Sequence, residues 1–413
     1  MDLARMQQYA DFIVRVGVNV RPGQNFLIHC PVEGAEMARA CARAGYAAGA
    51  KRVIVRYGDE QIDRITMEHC AEEVLCDIKP HQLRSYLDYA EDEGGVCTLS
   101  ISSRDPEIYK GLDGEKIQKA NLASRAALQP WREYTMASRI QWCIAAIPTV
   151  GWARKVFPGL PDDEAVEKLW DAIFDVCRVK AGGDVVAEWQ RHVERTAARR
   201  DQMNQLDLVS VHLEGENGTD LVIGLADDST WEGASEYTQG THIPFIANIP
   251  TEEVFTAPHK DRVDGVVKST RPYVYNGELI EDFTVWFEKG RVVKYEARRG
   301  EELLGKLLDS DEGARSIGEI ALVPASSPIR RSGVLFYNTL FDENAACHIA
   351  FGRGYPTNIR GGADMTTAQL LEKGLNDSAI HEDVMVGSEK MNITGLTRSG
   401  ETVQIFRDGE WAF

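Results

Sequence analysis

The chain has 413 residues, with 46 lysines and arginines against 64 aspartates and glutamates, and a formal charge of −18 with histidine neutral. Its length suits two domains or three small ones, and 43% hydrophobic with 27% charged residues describes a globular chain with a full core, which excludes disorder, collagen and fibres. A polyanion without a local basic patch repels phosphate backbones and anionic lipid, so neither nucleic acid nor a membrane is an expected partner.

The opening segment MDLARMQQYADFIVRVG has helical spacing over Asp2 to Val16 and lacks the basic flank and cleavage site of a secretory signal. No uncharged run approaches the ~18 residues of a membrane helix, so a cytoplasmic location is expected. Strands follow at Asn25 to Cys30, Arg52 to Tyr57, Val96 to Ser102 and Ile140 to Ile147. They alternate with an Ala-rich helix from Glu33 to Ala48, a polar helix, and a helix over Lys116 to Ala137. Continuous apolar strands separated by helices imply βαβ units and a mostly parallel sheet covered on both faces. Pro161-Asp162-Asp163-Glu164 starts a further helix, and Val185 to Gln205 is so charged that it reads as a solvated connector.

Residues 1–207 are therefore expected to form an α/β scaffold and substrate-shaping domain. They contain no Gly-x-Gly-x-x-Gly and no Gly-x-x-x-x-Gly-Lys-Ser/Thr, so neither a dinucleotide nor a triphosphate is indicated. His29 ends a strand and reads either as a crevice residue or, more simply, as a strand-end histidine with its hydrogen bonds satisfied. The eight cysteines form no Cys-x-x-Cys pair and sit largely among apolar residues, which argues against a zinc ribbon or a disulfide framework.

From Leu208 the period changes. Leu208 to His212 and Asp220 to Leu225 flank an Asn217-Gly218 turn, and further turns at Asn276-Gly277, Lys289-Gly290 and Ser399-Gly400 separate β-rich segments. Short helices at Glu301 to Asp309 and Thr366 to Lys373 make residues 208–413 an α+β domain rich in antiparallel strands.

Four segments of this half carry polar residues that are hard to explain by surface alone, although 64 acidic residues make coincidental clusters of surface charge easy to find. In NIPTEEVFTAP, Glu252 and Glu253 are neighbours on extended backbone, so one of them points to the apolar side, where a carboxylate needs a partner or a metal. Glu319 in SIGEIALVP heads the apolar strand Ile320 to Pro324, as a ligand or as a charged cap. FDENAACHIAFGRGYP holds Asp342, Glu343, His348 and Tyr355; five residues of helix rotate the chain by about 140°, so Glu343 and His348 do not share a helical face and either the chain bends between them or they serve two different metal ions. Gly352 and Gly354 permit such a bend. In NDSAIHEDVMVGS, His381 and Asp383 are two apart on a strand, which puts imidazole and carboxylate on one side.

Taken together and in order, these segments resemble the thermophilic-type metallo-aminopeptidases, the family of aminopeptidase T, aminopeptidase S and the PepS-like enzymes. The resemblance covers essentially the whole chain, from MDLARMQQYADFIVRVGVNVRPGQ to GEWAF. It implies that Glu253, Glu319, Glu343, His348, His381 and Asp383 hold a pair of divalent cations, whether zinc, cobalt, manganese or magnesium. It also implies an active-site tyrosine at Tyr355 and a homodimer whose C-terminal domain is catalytic. The substrate it implies is a peptide with a free N-terminus. Two divalent cations would match the four carboxylate charges, and a water activated between them would attack the peptide, with Glu253 or Glu319 moving its proton and Tyr355 stabilising the oxyanion. Another dinuclear amidohydrolase or dipeptidase, or a catalytically silent metal-binding protein, would carry the same residues.

Overall fold

The computed structural model describes residues 2–275 and 278–413; the turn expected at Asn276-Gly277 lies outside them. The chain divides into two compact units, one comprising Met1–Gln190 with Ser235–Pro250 and the other Arg191–Ala234 with Thr251–Phe413.

The first unit is built on a parallel four-stranded sheet in the order Arg52–Gly58, Asn25–Pro31, Val96–Ser102, Trp142–Ala146. The two inner strands bury nearly every residue, as parallel strands covered on both faces must. Helices begin where sequence chemistry dictates. Asp2 accepts hydrogen bonds from the backbone N–H groups of Ala4 and Arg5, and Asp113 caps the helix Gly114–Ala127 in the same way. The single helix expected over Lys116 to Ala137 is two, Gly114–Ala127 and Gln129–Met136, because Pro130 has no N–H to continue the first and fits the opening turn of the second.

The division between the units differs from a single cut after residue 207. It falls inside the helix Val185–Gln205, and residues 235–250 return to the first unit. They return because they pair with the sheet's edge strand. Ile144 N–H donates to the Ala247 carbonyl at 2.7 Å, and Ile249 N–H donates to the Ile144 carbonyl at 2.9 Å. The helix Val185–Gln205 is not solvated all round either. Trp189, His192, Thr196 and Met203 recur on one face and are buried.

The second unit holds a nine-stranded and a five-stranded sheet, both antiparallel. The smaller sheet runs Glu232–Gly233, Val254–Thr256, Ile317–Leu322, His348–Gly352, His381–Met385 from edge to edge. One hydrophobic core contains Ile223, Phe283 and Phe406 from the large sheet together with Ile320, Ile349 and Phe351 from the small one. The Phe287 and Phe351 rings stack across it at 6.4 Å. Each such side chain contributes about 1.5–3 kcal/mol by leaving water, so the small sheet is held firmly by one face while its other face is available for chemistry.

No helix among the described residues is long and apolar enough to cross a membrane.

Candidate metal centre

The register of the five-stranded sheet determines which side chains share its second face. Glu319 lies opposite Ala350, and Ala350 lies opposite Asp383. His348 precedes Ala350 by two residues and His381 precedes Asp383 by two, so all four candidate side chains project to the same side. Phe255 lies opposite Ala321, two residues beyond Glu319, which extends the face to Glu253 at the head of the strand Val254–Thr256. Ala321, Ala350 and Gly352 fall between these groups on the same face, and their small size leaves room for the larger side chains to converge.

The convergence is close. His348 Nε2 lies 3.1 Å from Glu253 Oε2 and 3.6 Å from Glu319 Oε1, while His381 Nε2 lies 3.7 Å from Glu319 Oε2 and 3.4 Å from Asp383 Oδ1. Two donor groups result, Glu253–Glu319–His348 and Glu319–His381–Asp383, each with ligand atoms within 4.8 Å of one another. Glu319 belongs to both and offers a different oxygen to each imidazole. Both rings are oriented from behind. His348 Nδ1 faces the Ala346 carbonyl at 3.1 Å and His381 Nδ1 faces the Arg353 carbonyl at 2.7 Å, which leaves each Nε2 pointing into the cluster.

Glu343 comes from a short turn, Glu343–Ala345, outside the sheet. The bend that brings it near His348 is at Ala346, whose backbone is extended, and not at the glycines further on. Glu343 belongs to neither three-residue group, yet Asp383 and Glu253 act directly on its charge. The Tyr355 ring packs 4.8 Å from the His381 ring and edge-on to Phe255 at 6.3 Å.

The electrostatics of the chain alone are those of crowded anions. Burial, then the charges of Asp383 and Glu253, hold the Glu343 carboxyl well above its ordinary range, and burial raises Glu319 against the pull of His348. Burial opposes a charge on His348, but the carboxylates of Glu253 and Glu319 outweigh it and raise its pKa. At His381 burial is likewise outweighed, by Asp383 and Glu319, and the pKa rises to about 10. Asp383 is lowered because His381 overcomes the cost of its burial. Burial and the neighbouring carboxylates raise the Tyr355 phenol, keeping its O–H a donor.

Divalent cations fit this donor set. The mixture of carboxylate oxygen and imidazole nitrogen is the one such ions take, and the four carboxylates of Glu253, Glu319, Glu343 and Asp383 match the charge of two of them. Asp383 Oδ1 is buried and faces His381 Nε2 at 3.4 Å without a well-formed hydrogen bond, which leaves it open to a cation.

Several residues of this region carry no signal in the motifs. Glu252 and Glu253 are both buried, where alternation predicts only one, because Glu252 turns to a second buried group: His192 Nε2 lies 3.9 Å from Glu252 Oε2 and hydrogen-bonds the Thr251 carbonyl at 2.7 Å. Glu382 faces away from its neighbours and accepts a hydrogen bond from the Tyr273 hydroxyl. Asn344 is wholly buried beside Glu343. The helical recurrence of Trp189, His192 and Thr196 is the one available hint of His192.

Buried carboxylates and imidazoles gathered into two groups that share one glutamate are the chemistry of a metal-dependent hydrolase. The family model for thermophilic metalloproteases (M29) matches residues 3–411, and the chain belongs to that family. It is 42% identical over 408 residues to aminopeptidase 2 of Geobacillus stearothermophilus, covering 99% of this chain and 98% of that one. It is 40% identical over 406 residues to aminopeptidase T of Thermus thermophilus, covering 98% of each. Among solved structures, wild-type AmpT from Thermus thermophilus superposes with a TM-score of 0.92 at 38% identity, over 100% of both chains. The family resemblance of the motifs and the expected fold class are thus confirmed.

Proposed function

We propose that this metal-dependent aminopeptidase removes single residues from peptides with a free N-terminus, using two divalent cations held by Glu253, Glu319, Glu343, His348, His381 and Asp383. The observation that carries the proposal is the sharing of Glu319 between two donor groups on one sheet face. The relatives named above, which align with nearly the whole chain, are aminopeptidases.

When bound, such a pair of cations supplies Lewis acidity that lowers the pKa of a water and polarises the scissile carbonyl. The chain's own residues do the rest. The sheet register holds Glu319, His348, His381 and Asp383 rigidly, so little reorganisation is needed as charge develops. Whichever of Glu253 and Glu319 is not fully engaged with metal takes a proton from the attacking water and passes it to the leaving amine. The Tyr355 hydroxyl donates a hydrogen bond to the carbonyl oxygen as it gains negative charge. An acidic site also suits the α-amine of the substrate.

All seven of these residues fall within Thr251–Phe413. We accordingly read the second unit as catalytic and the parallel-sheet unit as a scaffold that shapes substrate access. A homodimer in the cytoplasm, using zinc, cobalt, manganese or magnesium, completes the proposal and rests on the family resemblance.

The test is a panel of aminoacyl-arylamides, their N-acetylated forms and dipeptides. Cleavage of the free arylamides alone is the expected result. Equal rates on acetylated substrates overturn the exopeptidase reading, and activity confined to dipeptides makes the enzyme a dipeptidase.

A further inference from the structure

The sheet register sets Glu319, His348, His381 and Asp383 directly; it reaches Glu253 only through the strand that follows, and Glu343 not at all. Glu253 precedes its strand, and Glu343 sits on a short turn of a different segment. One buried amide touches both segments. Asn344 Oδ1 accepts a hydrogen bond from the Glu252 backbone N–H at 2.7 Å, next to Glu253. Asn344 Nδ2 donates to Glu343 Oε1 at 3.3 Å and to the Leu340 carbonyl at 3.1 Å. The residue is pinned in turn, because the Ser327 hydroxyl donates to the Asn344 carbonyl at 2.5 Å. The amide accepts from a backbone N–H through its oxygen while donating to a carboxylate through its nitrogen; at this position aspartate keeps only the acceptor and alanine has neither.

We propose that Asn344 is a positioning residue that fixes the Glu253 and Glu343 segments relative to each other so that the carboxylate cluster accepts divalent cations. The inference rests on the reading of Glu253 and Glu343 as ligands. Donors behind a metal ligand fix its orientation, and their loss typically weakens metal binding by about 10- to 100-fold.

The experiment titrates zinc into the full-length chain, stripped of metal, by calorimetry, with thermal melting in parallel, for the unsubstituted protein, Asn344→Asp, Asn344→Ala and Ser327→Ala. Asn344→Asp, which preserves shape and the bond to Glu252, is expected to melt cooperatively yet bind zinc at least about 10-fold more weakly. Ser327→Ala, which removes only the bond behind the amide, is expected to lower the melting temperature and to weaken zinc binding less than Asn344→Asp does. Unchanged or tighter binding by Asn344→Asp overturns the inference; if that variant does not fold, Asn344→Ala is read by the same criterion. Failure of both to fold makes the residue structural and also overturns it. Absence of zinc binding by the unsubstituted protein overturns the metal reading itself, a result distinct from equal binding by protein and variant.

Discussion

His348 Nε2 lies 3.1 Å from Glu253 Oε2, although a whole strand, Ile317–Leu322, separates the two elements that carry them. The intervening strand presents Glu319 to the same imidazole and, through its other oxygen, to His381. Antiparallel register therefore does here what no local motif can: it builds one donor cluster from segments far apart in the chain.

Glu319→Gln removes the one carboxylate common to both donor groups. The expected outcome is a folded protein with less than two bound cations per chain and kcat/KM reduced by at least about 10²-fold. Elemental analysis alongside kinetics checks it; a full complement of metal in the variant contradicts the shared role.

Tyr355→Phe deletes a hydroxyl and leaves the ring against His381 and Phe255. Loss of one oxyanion donor lowers kcat by about 10²- to 10³-fold. Metal content and KM are expected to stay near those of the unsubstituted enzyme. An unchanged kcat assigns Tyr355 to packing.

Chelation is expected to destabilise the protein as well as silence it, because ligands crowded together in the fold repel one another without cations. Cations present at about 100 times their Kd stabilise by about 2.7 kcal/mol. For a unit of this size that corresponds to a fall of about 5–10 °C in Tm on chelation. Calorimetry with and without chelator measures it, and coincident melting curves rule the coupling out.

His29, in the parallel-sheet unit, gives a pH dependence of its own. Burial, helped by Arg56, lowers its pKa to about 4, and its ring stacks on Tyr86 at 5.6 Å. The unfolded chain protonates His29 near its ordinary value of about 6.5, the folded chain only near 4, so between these values the unfolded state binds more protons. Stability is therefore lost as pH falls through this window. Removing the histidine, as in His29→Gln, is expected to reduce the drop in unfolding free energy between pH 7 and 4.5 by about 2–3 kcal/mol. Equal drops by denaturant unfolding contradict it.

Legibility of the sequence follows the range of the physics involved. His381 and Asp383 are readable as a pair because alternation on a strand is strictly local. The parallel sheet is readable because its inner strands are continuously apolar. Glu319 is expected at the head of a strand, yet it is the third residue of the fully buried strand Ile317–Leu322; only pairing with His348–Gly352 shows that its side chain has a polar face to enter. Glu343 and His348 do not share a helical face, and the extended residue Ala346 that reconciles them gives no compositional signal. Asn344 and His192 lie hidden for a related reason. A buried polar group is defined by its partners, and those of Asn344 include Glu252 and Ser327, from two other segments. The return of residues 235–250 to the parallel-sheet unit is equally non-local, since it depends on backbone bonds to Ile144.

The most direct test of the central claim is a titration of the metal-stripped, full-length chain with zinc or cobalt, following binding by calorimetry and hydrolysis of a leucyl-arylamide in the same samples. Two cations bound per chain, no hydrolysis before addition, and activity that rises with occupancy are the expected result. Undiminished hydrolysis by the stripped chain, or no binding on titration, would contradict it.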